Sequence, residues 1–376
     1  MNTRFGFVST FPPTQCGLAT FTAALRDALL HSSTDEGWVV RLVDAPMARP
    51  GEEVVAQLVS QDAASLRRAA DQLSQCDVTI VQHEYGLYGG ADGSDILHLL
   101  DQILVPRVVV LHTVLTDPTP HQRQVLEAVT AKADAVVVMT MTAHERLTAG
   151  YAVDMSKVSV IAHGAPARPT TMAEPTFRTG EFTVLTWGLL GPGKGIEWGI
   201  EAMAMLRDLA PMPRYVVAGQ THPKVLLHEG DAYRDRLREQ VKRARLGSCV
   251  TFDGHYRSTS ALASLVRSAD VVLLPYDSTE QVTSGVLIEA VAAGKPVVAT
   301  EFPHAREMLA GGAGLLVPHR DPAAIAAALR SVITRGDVMT QMAAAAAATA
   351  PQLLWPVIAD QYRQLAGRLI TASVAA

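Results

Sequence analysis

The chain has 376 residues, of which 48% are hydrophobic and 18% charged, with a formal net charge of −5. That length exceeds one ordinary hydrophobic core and calls for two domains or three, and the composition is that of a well-buried globular protein. The missing basic excess argues against a nucleic-acid binder.

Three cysteines, Cys16, Cys76 and Cys249, stand far apart without metal-ligand spacing, which suits a reducing compartment and no disulfide framework. No apolar run has the length of a membrane span, and MNTRFGFVSTFPP reads as a short strand before Pro-Pro instead of a signal peptide. The expectation is a cytoplasmic protein. Peripheral membrane contact stays open, although no strongly basic amphipathic helix demands it.

Phe5 to Thr10 predicts a buried strand, followed by the loop FPPTQCGLATFT and a helix from about Ala19 to Leu30. A strand that passes through a glycine-containing loop into a helix suits approach to a phosphate, with Gly17 letting backbone come close, although there is no GxGxxG. Val39 to Val43 and Val78 to Gln82 predict further strands, with a helix between them around Ala63 to Leu73. Arg107 to Leu111, Val136 to Met139 and Val158 to Ile161 complete the first half. Apolar strands separated by helical segments indicate a parallel sheet covered on both faces, with ligands beyond the carboxyl ends of its strands. His83, His112 and His163 all follow such ends. Each alone is as well explained as a structural residue, and together they mark one edge as a candidate site.

From Pro166 to Gly180 the sequence turns to Pro, Thr, Arg and Glu without periodicity, which reads as a linker. The α/β rhythm then restarts, with strands expected at Phe182 to Trp187, Tyr215 to Ala218, Val250 to Phe252, Val271 to Leu274, Val297 to Thr300 and Gly314 to Val317. Two α/β domains joined by one linker imply a cleft, a preferred place for a small-molecule site. Asp231 to Arg245 mixes charges at helical spacing and reads as a solvated helix face, not a nucleic-acid patch. AAAAAAATAP is a strong helix former, and LLWPVIADQYRQLAGRLI reads as a final amphipathic helix.

After FTVLTW comes Gly188-Leu-Leu-Gly-Pro-Gly193-Lys194-Gly195, nearly a Walker A loop in the correct strand–loop–helix context. Gly195 stands where the magnesium-binding hydroxyl belongs, and no persuasive Walker B acid appears, so a P-loop NTPase is a weak rival. The most informative stretch is PYDSTEQVTSGVLIEAVAAGKPVVAT, from Pro275 to Thr300. Ser284 is a good N-cap, Gly294 and Pro296 end the helix, and its N-terminus offers free amides to an anion. Glu289 lies a little over one turn inside an apolar run, where a carboxylate needs a partner or a ligand.

This stretch resembles the nucleotide-sugar signature of the retaining glycosyltransferases of family 4, in which two Glu separated by seven residues flank the donor. Glu289 matches the second Glu, which in that family holds the ribose. The first falls on Gln281, a departure, with Glu280 one residue out of register. PPTQCGLATFT, VQHEYGLYGG, LHTVLTDP, AHGAP, GLLGPGKG, AGQTHP and GAGLLVP extend the resemblance over nearly the whole chain, several of them toward a mannosyltransferase-like branch.

The resemblance implies a GT-B fold: two Rossmann-like domains with parallel sheets facing across a cleft, and a C-terminal helix returning to the first domain. The expected bounds are 1–168 with 353–376 for an acceptor domain and 176–350 for the nucleotide-sugar domain. The implied activity is transfer of a hexose, mannose from GDP-mannose by preference, to a hydroxyl of a carbohydrate or glycoconjugate acceptor, with no metal and no other cofactor. Lys194, Gly17, Gly188, Ser284 and Gly285 would hold the diphosphate, Glu289 the ribose, and His112 the transferred sugar. Gln281 or Glu280 would hold its other hydroxyls, and His163 would lie on the donor side. The family's phosphate-clamp Arg has no counterpart, and Arg257 is the expected substitute. A sugar-nucleotide epimerase, a phosphorylase or a non-catalytic nucleotide-sugar binder could use the same framework.

Overall fold

The computed structural model describes residues 2–31, 34–47, 51–167 and 181–375, so all but the first two residues of the expected linker lie outside it. The chain divides into two compact units, Met1–Gly164 with Trp355–Ala376, and Ala165–Leu354.

The first unit holds seven strands: β1 (Arg4–Ser9), β2 (Glu36–Val43), β3 (Val54–Val59), β4 (Val78–His83), β5 (Arg107–Leu111), β6 (Ala135–Val138) and β7 (Val158–Val160). All neighbours pair parallel, in the order β3-β2-β1-β4-β5-β6-β7. The strands of the second unit are β8 (Thr183–Trp187), β9 (Arg214–Ala218), β10 (Val250–Asp253), β11 (Val271–Leu274), β12 (Val297–Thr300) and β13 (Gly314–Val317). They also pair parallel, in the order β10-β9-β8-β11-β12-β13. In each sheet the chain builds outward on one side and then returns to the other side of its first strand. The switch points fall between β1 and β4 and between β8 and β11, where open α/β sheets bind ligands beyond the carboxyl ends.

The strands form where β-branched runs can be covered on both faces: β4, β6, β11 and β12 are buried at every residue. The edge strand β3 is not anticipated by the sequence pattern, because only Val54 and Ala56 of its six residues are buried and Gln57 interrupts its apolar run. The first helix starts at Gly17, two residues before the expected Ala19, since Cys16 Sγ accepts the Ala19 amide and caps it. The helix Trp355–Ala375 lies against the helix Gly17–Leu30. Ile358, Ala359, Tyr362 and Leu365 share a core with Phe5, Phe7, Phe21 and Leu25. The charge-rich segment forms the helix Ala232–Arg243. It is solvated on one face only, and buries Tyr233, Arg234, Leu237 and Val241 on the other. A separate core, including Ile196, Tyr215, Leu237 and Leu329, holds the second unit together.

Candidate functional site

In the second unit the loops after β8 and β11 meet at the switch point. Gly195 has φ +61°, and a Cβ there would lie 1.7 Å from the Pro275 carbonyl oxygen. The Asp277 amide donates to Gly193 O at 2.9 Å, and Trp198 Nε1 donates to Asp277 Oδ1 at 2.9 Å. The two loops are thus locked backbone to backbone. The position at which a Walker A loop carries Ser or Thr admits no side chain, which removes the P-loop reading. Gly188, at φ +128°, packs its carbonyl against Gly219, whose own Cβ would meet that oxygen at 1.9 Å. Only glycine fits either place.

Lys194 projects its ammonium over the buried Tyr276 ring, 4.2 Å from the centroid, and Tyr276 is stacked on Phe302. Beside it starts the helix Gly285–Ala292. Ser284 Oγ accepts the Leu287 amide at 3.3 Å, and the Ser284 amide donates to Nδ1 of the buried His304 at 2.8 Å. The Gly285 and Val286 amides have no acceptor within the helix, and the Val286 side chain lies 3.7 Å from the place of a Gly188 Cβ, which sets the helix start against the Gly188 loop. An ammonium and a helix N-terminus therefore converge on one switch point, an arrangement suited to a diphosphate. Further along the helix, the half-buried Glu289 receives a bond from Trp187 Nε1 at 3.3 Å. Burial pushes its carboxyl up to about 7, against the lowering effect of that bond.

Around this centre, Gln281 donates from Nε2 to Thr283 O at 3.0 Å, and Glu280 is exposed. Arg257 is ion-paired through Nη2 with Asp253, which His255 also bonds. Burial works to raise the Asp253 carboxyl, and the His255 and Arg257 bonds override it, holding it at about 2. The charge of Arg257 is thus balanced within its own loop. One contributor escapes the sequence reading of this unit. His304, twenty residues beyond Ser284, has no local pattern to reveal that it accepts the Ser284 amide. Arg234 is buried, donates from Nη2 to Gly219 O at 2.5 Å, and braces the turn after β9.

Gly17, His112 and His163 lie in the first unit. Gly17 opens its helix, and a Cβ added there would meet nothing within 4 Å, so internal packing does not require glycine at that position. His112 Nε2 and Gln82 Oε1 are 2.6 Å apart, and the ring meets Phe21 edge-on at 5.0 Å. His163 lies between Phe21 and Trp355, with Nδ1 donating to Gly164 O at 2.7 Å. His83 points to the opposite face of the sheet from Gln82 and is wholly buried. Burial holds all three imidazoles neutral at pH 7, lowering His83 and His163 to about 4 and, with its two neighbours contributing, His112 to about 3. A cavity of about 880 Å³ opens beyond β1, β2 and β3, with Thr14, Leu58, Tyr88, Asp95 and His98 in its wall. Among the described residues no three His, Cys, Asp or Glu side chains gather as metal ligands, and no helix is long and apolar enough to cross a membrane.

Residues 181–335 match the family model of Glycosyl transferases group 1. The chain is 34% identical over 162 residues to the phosphatidyl-myo-inositol mannosyltransferase of Mycolicibacterium smegmatis, covering 43% of this chain and 40% of that protein. It is 29% identical over 203 residues to the glycogen synthase of Mycobacterium tuberculosis, covering 54% and 46%. The chain thus spans less than half the length of these curated relatives. Among solved structures, sucrose-phosphate synthase from Thermosynechococcus elongatus superposes with a TM-score of 0.76 at 19% identity, covering 99% of this chain and 100% of that one. The fold is that of the GT-B glycosyltransferases.

Proposed function

From a second unit whose residues 181–335 are a Glycosyl transferases group 1 domain, we propose that this chain is a retaining hexosyltransferase. It takes a hexose from a nucleotide sugar to a hydroxyl of a carbohydrate or glycoconjugate acceptor, in the cytoplasm and without a metal. The observation that carries this reading is the convergence of Lys194 with the Gly285 and Val286 amides at the β8–β11 switch point. Positive charge and preorganised donors there stabilise a leaving diphosphate, which is where charge develops when the glycosidic bond to the donor breaks. Glu289, half-buried with one hydrogen bond from Trp187, has an acceptor oxygen left for a ribose hydroxyl. A relative of Mycobacterium tuberculosis, 30% identical over 150 residues and named as a GDP-mannose-dependent mannosyltransferase, favours GDP-mannose as donor. Gln281, which keeps an acceptor oxygen beside its bond to Thr283, and Glu280 serve the sugar hydroxyls, with His112 near the transferred hexose.

One observation favours a second reading. Gln281 stands where the resembled family has an acid, and Arg257 is spent on Asp253, so a nucleotide-sugar binder without turnover has support.

Calorimetric titration of the purified chain with GDP, UDP, ADP and ATP, in EDTA and then in magnesium, tests the site. Tight binding of GDP that persists in EDTA is expected, and Lys194→Ala should weaken it roughly 10- to 100-fold with unchanged thermal stability. Binding confined to ATP with magnesium, or no binding at all, would overturn the reading. Product analysis after incubation with GDP-mannose and an acceptor panel then separates transferase from binder.

A further inference from the structure

The cavity of about 880 Å³ in the first unit takes no part in the site of the second. It opens at the carboxyl edge of the sheet. Thr10 follows β1, Asp44 follows β2, Ser60 follows β3, and Tyr88 and Gly89 belong to the loop after β4. Its volume suits a whole small molecule. One side of the wall is apolar surface that the fold itself leaves uncovered: Val43, Leu58, Leu66 and Leu87 are each half-buried, and Met47 is 45% exposed. A ligand that covers these side chains gains by removing them from water.

The other side is polar and built by a closed loop. Tyr88 Oη donates to Gln82 O at 2.7 Å, and the Asp95 amide donates to Gly89 O at 3.0 Å. The Asp95 carboxylate then occupies the space that side chains at Gly89 and Gly90 would need. Its Oδ2 is 2.5 Å from the place of a Gly89 Cβ, and its Oδ1 is 2.6 Å from that of Gly90. Ser60 Oγ packs against the same Gly89 position. Two successive glycines thus admit a carboxylate and a hydroxyl to the cavity wall. Asp95 and Asp44 receive no hydrogen bond from any side chain or amide among the described residues, so both keep their full acceptor capacity. Asp62, in the same wall, is spent on the Ala64 amide and on Arg68 at 3.8 Å. With the exposed Arg67 in the wall and Arg41 behind Thr14, acids and bases nearly balance, and nothing draws in a cation. The two unpaired carboxylates repel an anion and accept from hydroxyls.

We propose that this cavity takes an uncharged polyol joined to an apolar body. Asp95, Asp44 and Ser60 accept from its hydroxyls, and the wall of Leu58, Leu66 and Leu87 covers the apolar part. The pocket is argued from the first unit alone. On the hexosyltransferase reading, on which this last step rests, the ligand is the acceptor, and it is a glycoconjugate with an apolar aglycone instead of a free or phosphorylated sugar.

The test is calorimetric titration of the full chain with three probes, kept below any critical micelle concentration. They are octyl β-D-glucoside, octyl β-D-glucuronide, which adds a carboxylate to the same body, and glucose, which lacks the apolar part. Octyl glucoside is expected to bind about tenfold or more tightly than either of the others. Asp95→Asn should weaken octyl glucoside severalfold and narrow its lead over the glucuronide. Leu66→Trp, which fills the cavity from its apolar side, should weaken it about tenfold or more. GDP affinity should stay unchanged in both variants. Should Leu66→Trp fail to fold, Asp95→Asn, in a surface loop, carries the test. The assignment is overturned if octyl glucoside does not bind wild type, if the glucuronide or glucose binds as tightly, or if either folded variant binds octyl glucoside as wild type does. GDP binding that persists in those cases leaves the nucleotide-sugar reading standing. Octyl glucoside bound by a chain that binds no nucleotide keeps the pocket and removes its role as acceptor site.

Discussion

Glu289 has its carboxyl pushed up to about 7 from an ordinary 4.5, so between those values the folded chain holds more protons than the unfolded one. Stability therefore falls as pH rises through that window, and the penalty is fully present above it. The side chain is half-buried, so solvent screening discounts the shift, and a cost of roughly 1–2 kcal/mol is a fair scale. Glu289→Gln keeps an acceptor for Trp187 Nε1 and carries no charge. Its denaturant midpoint should match wild type near pH 4.5 and exceed it at pH 8, by about that amount. The same variant should bind nucleoside diphosphate more weakly, because a carboxylate accepts from a ribose hydroxyl more strongly than an amide does. A residue that lowers stability while serving a ligand is the usual sign of a site. Urea titrations at the two pH values decide it: a variant less stable than wild type at pH 8 would leave Glu289 as a structural acid.

Among the elements, the loops after β8 and β11 are held by glycine where side chains would meet backbone. Restoring a Walker hydroxyl with Gly195→Ser puts a Cβ 1.7 Å from the Pro275 carbonyl, in a left-handed backbone conformation. A loss on the order of 3 kcal/mol or more is expected, with no gain of magnesium-dependent ATP binding. A well-folded, ATP-binding variant would show the two loops to be far looser than their contacts indicate. What is legible in the sequence here follows from where each signal lives. The Gly285–Ala292 helix is readable because Ser284, the apolar run and Gly294-Lys295-Pro296 are all local. Parallel strands are readable because burial on both faces leaves continuous runs such as VVLL and VVAT. His304 and Arg41 are not. One reaches a helix start from twenty residues away, the other sits in a strand whose sequence, WVVRLV, shows a charge but not its burial. β3 escapes for the opposite reason, since only Val54 and Ala56 of this edge strand are buried and Gln57 breaks the apolar run.

The two cores share no residues, and sequence position does not decide membership, since the last helix, Trp355–Ala375, packs on the first. This makes the assignment of ligands to units testable by unfolding. Each unit buries enough apolar surface for a cooperative transition of its own, so calorimetric melting should resolve two components. Ile358 is fully buried beside Phe21 and Leu25, and Ile358→Ala should cost about 2–5 kcal/mol of the first unit's stability. That substitution near the C-terminus should lower the transition that carries the N-terminal strands and leave the other in place. GDP held by Lys194 and the Gly285 helix should raise only the second unit's transition, by the linkage term that grows with the ratio of ligand to dissociation constant.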